Sequence, residues 1–368
     1  MTKDRARKHD VRAHKRSAEI SYTAAWWLLR SNLDPGPAPA TWTEQFNRYT
    51  GVSVNAIPPL QSPPAHPFPA QPAPRARFDA AVMEQVCRAG GFYWAHPFGV
   101  AAVHSGPTET VLELDDRTVI DRNKPHDQHP TMADFIIRHL LPSHEGQGAT
   151  QVHGIPGLRL ASRRGGPRRD LHLVEVDGPG HVVLRAVAGT DWQRILREVE
   201  RDVRAEGFTP LWKEQAITPQ EVVHAEGLPH RQATLRRLAS IGAGLLYRIN
   251  LFYAVSVAYT TSSWVSDRWV VEMRAVRAAG HPHDDFVAAL TDPVWGLPLV
   301  PDARDTNCHC SSQPTTWETR CDFSFYDPST GGELELRFRC RPGTPDDARA
   351  DYADAGADPA WLDKVLPT

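Results

Sequence analysis

The stretch of sequence that decides the fold is TPQEVVHAEGLPHRQATLRRL, residues 218–238. A Thr-x-x-Glu capping box opens it, with proline at the first helical position, and Gly227 ends this first helix. A Leu-Pro turn leads into a second helix over 230–241, in which apolar side chains recur every three residues: Leu235, Leu238 and Ile241. We therefore expect two short helices joined by a tight turn.

The flanking segments predict the elements around this pair. Upstream, Thr190-Asp-Trp-Gln193 is a second capping box, which opens a helix that Gly207 ends, and an apolar strand follows at 208–212. Downstream, Gly242 and Gly244 end the second helix of the pair. The segments 245–259 and 268–276 are rich in β-branched and aromatic residues, which favours two strands.

The order helix, strand, helix, tight turn, helix, strand, strand resembles a winged helix-turn-helix over about residues 190–276. Residues 218–238 resemble the second and third helices of that family, and Gly244-Leu-Leu-Tyr-Arg resembles the entry to its wing. The resemblance implies that duplex DNA is a partner, with the third helix in the major groove. It assigns base and phosphate contacts to His230, Arg231, Gln232, Thr234 and Arg237. A helical hairpin packed under a sheet explains the same capping boxes and stays open as the alternative.

The remaining patterns predict an α+β fold. Eleven prolines fall between Pro35 and Pro74, a density that excludes a helix interior or a sheet ladder and predicts a semi-rigid linker. Asp79 is the predicted cap of the first body helix. We expect these regions: a basic helical arm at 1–34, a Pro-rich linker at 35–76, an α+β domain at 77–189, a winged-helix-like segment at 190–300, a Cys-rich β-hairpin at 301–345 and an acidic tail at 346–368.

The N-terminal arm is the most basic part of the chain. Residues 1–30 carry eight Lys/Arg against three acidic residues, 8 − 3 = +5. Such an arm contacts phosphate or a protein partner, or it is a solvated terminus. Residues 159–169 form a second basic loop with five arginines. This loop either binds phosphate or is simply solvated.

Four of the five cysteines lie between Cys308 and Cys340. Residues 320–326 and 333–340 alternate as strands of a hairpin, and a turn symmetric about Thr330/Gly331 would place Cys321 opposite Cys340. Together with Cys308 and Cys310, these thiols favour a structural Zn²⁺ site in a reducing compartment. Unliganded core cysteines are the alternative.

The charge and hydropathy of the whole chain exclude several classes of protein. The formal net charge is −3, so a strongly basic polymer-coating protein is excluded. The longest apolar stretches are shorter than the roughly 20 residues of a membrane span, and an odd cysteine count without a secretion signal predicts a cytoplasmic protein with no membrane partner.

Three functions remain from the sequence. The first is a non-enzymatic nucleic-acid-associated protein, either a DNA-binding regulator or a mobile-element protein. The second is a metal-dependent hydrolase that uses His281, His283 and Asp285, whose ligand types suit a hydrolytic metal. Phe286 stands where the last histidine of such a motif belongs, so a helix N-cap by Asp284 or Asp285 is the better explanation. The third is an assembly protein that acts through surfaces rich in its 11 tryptophans.

Overall fold

A computed structural model describes most of the chain between residues 41 and 342. The ranges it describes are 41–57, 64, 66–68, 70–90, 98–114, 131–146, 151–161, 170–186, 190–226, 229–252, 257–263, 268–277, 282–302, 307–308 and 319–342. Within them, only the backbone is described for residues 229–232, 257–263, 274–277, 282, 284–285, 307–308, 319 and 339–342. The predicted N-terminal arm and acidic tail lie outside these ranges.

Helices and mixed sheets together give an α+β architecture. The helices are α1 (Trp42–Thr50), α2 (Ala73–Gly90), α3 (Met132–Leu140), α4 (Trp192–Ala205), α5 (Pro219–Glu226), α6 (Pro229–Leu246) and α7 (Pro282–Leu290). The strands are β1 (Val100–Ser105), β2 (Thr110–Leu114), β3 (Ser143–Glu145), β4 (Val152–His153), β5 (Leu158–Leu160), β6 (Asp170–Glu175), β7 (His181–Arg185), β8 (Phe208–Pro210), β9 (Val257–Ser263), β10 (Arg268–Arg277), β11 (Val300–Pro301), β12 (Asn307–Cys308), β13 (Thr319–Tyr326) and β14 (Glu333–Pro342). No described helix has both the length and the apolar character needed to cross a bilayer.

The strands form three sheets. A five-stranded sheet has the order β1-β2-β7-β6-β5, with β2 and β7 parallel. A second sheet has the order β11-β13-β14-β10-β9, with β12 added beside β13 and with β10 and β14 parallel. The third contains β4, β3 and β8. The predicted strands at 208–212 and 268–276 therefore belong to different sheets.

Helices α2 and α6 pack against each other and connect the two large sheets. Asp79 of α2 accepts a hydrogen bond from Thr110 of β2 in the five-stranded sheet. Trp269 of β10 donates its indole N–H to the carbonyl of Leu238 in α6, over 3.1 Å. Trp269 is fully buried, and this helix pair lies in the main hydrophobic core.

The Pro-rich region contains a helix, so the prediction that 35–76 excludes one is wrong. Helix α1 begins after Thr41, whose side chain and Glu44 form a capping box. It forms because 41–57 has no proline; the prolines are concentrated on either side. Tyr49 of α1 stacks on Trp295 with ring centroids 5.6 Å apart, so α1 belongs to the folded body.

Helix α2 begins at Ala73, six residues before the predicted cap at Asp79. Asp79 is fully buried inside the helix and pairs with Arg75 instead of capping. The cap of α4 also differs from the prediction by one residue, since Asp191 rather than Thr190 accepts the N–H of Arg194, at 3.0 Å.

Helix α6 continues past the predicted stop at 241 to Leu246, so the prediction of a strand over 245–259 is wrong for its first half. Gly242 does not end the helix. A methyl group there would lie 2.5 Å from the Trp269 ring and 2.7 Å from Cβ of Ala80, so glycine permits close packing inside the helix. Gly244 packs in the same way against Leu297.

Strands β13 and β14 pair antiparallel, but their register differs by two residues from the prediction. Cys321 lies opposite Phe338, and Thr319 lies opposite Cys340. The turn is centred one residue earlier than expected because Asp327 closes it. The N–H of Asp327 bonds to the carbonyl of Gly332, and the Asp327 side chain accepts the N–H of Ser329.

Candidate functional site

Helix α5 is fixed to the body by a buried ion pair between Glu221 and Arg159 of β5. Both oxygens of Glu221 accept from Arg159, at 2.9 and 2.7 Å, and the N–H groups of Gly157 and Thr218 also reach this carboxylate. Burial alone would raise the pKa of Glu221, but these hydrogen bonds outweigh it and hold the pKa below its ordinary value. The basic loop predicted around residue 159 therefore contributes a structural arginine, and residues 162–169 of that loop lie outside the described ranges.

A cleft of about 760 Å³ lies between α2 and α5. Its floor is one stripe of α2, which includes Phe78, Ala81 and Gln85 at helical spacing. The connection from β4 to β5, the turn between β6 and β7 and Leu235 of α6 complete the walls. Ligand sites in proteins have volumes of roughly 300–1,000 Å³, so this cleft has the size of a small-molecule site.

The cleft has both apolar and polar walls. Phe78 and Ile155 are buried and line it, while Ile217 and Val222 at its edge remain 39% and 42% exposed. The Arg159–Glu221 pair lies beneath α5 and keeps this wall in place. The cleft is therefore preformed and offers apolar surface that water covers in the free protein.

Gln85 is a polar group on the floor of this cleft that forms no hydrogen bond within the described protein. The residue is 4% exposed and lines the cleft. Its side-chain amide forms no hydrogen bond with any other described residue. Since buried amides in proteins almost always have partners, an amide that faces a cleft without one is free to bind a ligand.

Seven charged residues also line the cleft: Arg77, Glu84, Arg88, Glu175, Asp177, Glu221 and Glu226. Glu175, at the end of β6, accepts the N–H of Gly180 at 3.1 Å, and burial raises the pKa of this carboxyl while Gly180 and Arg77 oppose the rise. Arg77 is exposed on α2. The cleft therefore offers an amide, carboxyl groups and guanidinium groups beside its apolar walls.

A second group of polar residues covers the outer face of the five-stranded sheet; we call it the polar face. Residues two apart on a strand lie on the same face, and this alternation places His104, Glu113, Asp170 and Arg185 together. Arg185 bonds to Asp170 at 3.2 Å, and Nε2 of His104 lies 2.8 Å from Glu113. The hydrogen bond from His104 lowers the pKa of Glu113.

Glu109, His172 and His181 form a separate cluster at one end of the polar face. Nδ1 of His172 lies 3.1 Å from Nε2 of His181, whose Nδ1 lies 3.5 Å from the carboxylate of Glu109. Burial, with added repulsion from His172, lowers the pKa of His181. Within the described part of the chain, these are the residues whose donor atoms come close enough to share one metal ion.

The predicted nucleic-acid contacts all fall in the N-terminal half of α6. His230, Arg231 and Gln232 lie in its first turns, and their side chains are outside the described residues. Thr234 and Arg237 are partly buried. The Arg237 side chain lies against the β13–β14 turn, where its Cδ would be 3.9 Å from a methyl group on Gly331. The structure therefore brings the five residues onto one helix, with Arg237 partly covered.

The cysteines are arranged differently from the prediction. Cys321 and Cys340 are not directly opposed; the register partner of Cys321 on β12 is Cys308. Cys321 is fully buried in the core. Cys310 lies outside the described residues, as do the side chains of Cys308 and Cys340, so the zinc site stays a prediction.

Of the three residues in the predicted hydrolase motif, His283 alone has a described side chain, and that side chain is buried. His283, near the start of α7, is 1% exposed. Its ring packs against Phe323 and Phe338, with centroid distances of 5.2 and 5.7 Å. His281 and the side chain of Asp285 lie outside the described residues.

Several tryptophans serve the core rather than a partner surface. Trp192, Trp212 and Trp269 are each at most 5% exposed. Trp42 and Trp295 pack with each other in the aromatic cluster around α1, with ring centroids 5.6 Å apart. None of these five supports an assembly surface.

The sequence predicted neither the Glu109–His172–His181 cluster nor the cleft that contains Gln85. His172 and His181 flank the Asp177-Gly-Pro-Gly turn, but a hairpin symmetric about that turn would pair His172 with Arg185 and leave His181 four residues away. The observed register pairs His172 with Val183, which makes the two histidines diagonal neighbours. No local signal marks Gln85, because its lack of a partner depends on α5 and β6–β7 closing around it. Comparison of the chain with protein-family models, with curated proteins and with solved structures gives no match.

Proposed function

We propose that this protein binds a small organic ligand in the cleft between α2 and α5. The observation that carries the proposal is the amide of Gln85, which is buried, lines the cleft and has no partner among the described residues. The amide atoms are not among the unpaired polar atoms that are shielded from solvent, so they reach the water in the cleft, and a ligand that pairs with them replaces that water.

The chemistry of Gln85 defines the ligand class. A primary amide presents one acceptor and two donors side by side. Its complement is another edge that carries a donor next to an acceptor, which peptide groups, carboxamides and nucleobases all have. The apolar wall formed by Phe78 and Ile155 favours a ligand that also carries an apolar part.

Calorimetric titration with two probe sets tests the proposal. One set is the four common ribonucleosides, and the other is N-acetyl-leucinamide and N-acetyl-phenylalaninamide. We expect saturable binding from one set, which identifies the source of the amide edge. Gln85→Met keeps the side-chain length and removes the amide, so it should weaken binding by roughly tenfold, as loss of about 1.4 kcal/mol implies.

The matched control is Gln193→Met, because Gln193 is exposed on α4 and outside the cleft. It should bind the same probe with unchanged affinity. The proposal fails if no probe of either set binds, or if Gln85→Met and the wild-type protein bind the probe equally well.

A second candidate function is association with duplex nucleic acid through α6, with a structural zinc at the cysteine hairpin. It is supported by the order of elements, since only residues 227–228 separate α5 from α6 and the antiparallel strands β9 and β10 follow. Arg236 is exposed in the same helical half as Thr234. Partial burial of Arg237 and the anchoring of α5 by Arg159 weigh against it, which is why it ranks second.

Fluorescence anisotropy of a labelled duplex at several salt concentrations tests this second candidate. Arg231→Ala should weaken binding and lower the salt slope by about one unit if the side chain contacts a phosphate. Arg204→Ala, on the exposed face of α4, is the matched control. Equal binding and equal slopes for both variants and the wild-type protein would exclude the role of α6.

A further inference from the structure

We infer that Glu109, His172 and His181 form a binding site for a divalent transition-metal ion of the Zn²⁺ type. This inference does not depend on the cleft, because the three residues lie on the polar face and none of them lines the cleft.

The three residues come from neighbouring parts of one rigid sheet. His172 lies on β6 and His181 on β7, which pair antiparallel, and Glu109 directly precedes β2, which pairs with β7 on its other side. Glu109 is fixed by its own carbonyl, which accepts the N–H of Gly106 at 2.8 Å. The donor groups are therefore preorganised by three adjacent strands.

The two histidines are spaced to share one ion, and Glu109 lies close to them. A tetrahedral ion bound at about 2.0–2.1 Å holds neighbouring donor atoms about 3.4 Å apart. The facing ring nitrogens of His172 and His181 are 3.1 Å apart, near that spacing. The 3.5 Å contact of the Glu109 carboxylate is with the other nitrogen of His181, and one ion binds a single nitrogen of that ring. One donor atom per residue can be chosen so that all three lie within 4.8 Å of one another. A small rotation of the Glu109 side chain, which is 38% exposed, can close the remaining gap.

The donor types determine the class of metal. Two imidazoles and one carboxylate suit Zn²⁺ and its first-row neighbours, whereas Mg²⁺ and Ca²⁺ prefer oxygen ligands alone. Three protein ligands leave a fourth position for water or a ligand atom. The His181 side chain is 27% exposed, so an ion can reach the site from solvent.

The polar face provides a matched control. His104 and Glu113 form another histidine–carboxylate contact, at 2.8 Å, but they lack a second histidine and face Arg185. The His104–Glu113 contact therefore offers one imidazole and one carboxylate, one ligand fewer than the proposed site.

The test is titration of the metal-free protein with Co²⁺ and Zn²⁺, monitored by calorimetry and by the visible spectrum of Co²⁺. We expect His172→Ala and His181→Ala to weaken binding by roughly 10–100-fold or more, since loss of even an outer-shell partner costs that much. His104→Ala should bind as the wild-type protein does. The Co²⁺ spectrum should show nitrogen and oxygen ligation, without the intense near-ultraviolet band of a thiolate.

Melting curves of the metal-free variants check that each one is folded before titration. The inference is overturned if His172→Ala binds Co²⁺ as tightly as the wild-type protein, or if His104→Ala loses as much affinity as His172→Ala. A thiolate-type spectrum that persists in His181→Ala would place the ion at the cysteines and would also overturn it.

Discussion

Asp79 and Gln85 are two of the polar residues that helix α2 buries, and their side chains differ in whether the protein provides hydrogen-bond partners. Asp79 accepts hydrogen bonds from Arg75 at 2.9 Å, from Thr110 at 2.9 Å and from the hydroxyl of Tyr247. The amide of Gln85 has no partner in the described part of the chain and lines the cleft. A satisfied buried group stabilises the fold, whereas an unsatisfied group beside a cleft is available to a ligand.

The largest expected loss of stability comes from removing the carboxylate of Asp79. Asp79→Asn leaves the guanidinium of Arg75 buried without its carboxylate, so the free energy of unfolding should fall by about 3–5 kcal/mol. Urea denaturation measures the change. The exposed Asp202→Asn is the control and should change stability by at most about 0.5 kcal/mol. Equal stability of the two variants would mean that the buried network does not hold α2 to the sheet.

A smaller loss of stability is expected when the ion pair that holds α5 at the wall of the cleft is weakened. Glu221→Gln removes the charge that faces Arg159, but Arg159 keeps the carbonyls of Glu214 and Ala216 as acceptors. We therefore expect a loss of about 2–3 kcal/mol, below the cost of fully breaking a buried pair. Amide hydrogen exchange in α5 should accelerate, while Glu226→Gln at the exposed end of the helix should leave exchange unchanged. Unaltered exchange in both would show that the ion pair does not fix this wall.

A third prediction concerns His139, a histidine whose burial should make the stability of the protein depend on pH. Burial, followed by repulsion from Arg138, Arg88 and His153, lowers the pKa of His139 to about 4. The unfolded chain titrates near 6.5, so between about pH 6.5 and pH 4 it binds more protons than the folded state and stability falls as pH falls.

His139 is only partly buried, so solvent screens its charge. We therefore expect a loss of about 1–2 kcal/mol in the free energy of unfolding, less than the whole change in pKa would give. His139→Gln should flatten the dependence of stability on pH over this window, as measured by urea denaturation at several pH values. His104→Gln, on the polar face, should retain the slope. A slope that persists in His139→Gln would assign it to another group.

Local signals in the sequence predicted individual helices better than they predicted the contacts between elements. The capping box at Thr218 and Glu221 predicted α5, because this signal acts within one helical turn. The sequence could not show that Glu221 also pairs with Arg159, 62 residues away.

Errors arose where tertiary contacts decide. Gly242 suggested a helix end, yet it lies inside α6 because Trp269 occupies the space that a side chain would need. The register of β13 against β14 depended on hydrogen bonds of Asp327 within the turn, which spacing alone does not reveal. The candidate sites depend on such contacts even more, since Gln85 and the His172–His181 pair acquire their meaning only from neighbours distant in sequence.

The stability of Gln85→Met tests the contrast with Asp79 most directly, and it needs no knowledge of the ligand. If the amide has no protein partner, its removal breaks no hydrogen bond within the protein, and the variant should be as stable as the wild-type protein or more stable by up to about 1 kcal/mol in urea denaturation. A loss of more than about 1 kcal/mol relative to Gln193→Met would show that the amide supports the fold, as Asp79 does, and would contradict the proposed role of the cleft.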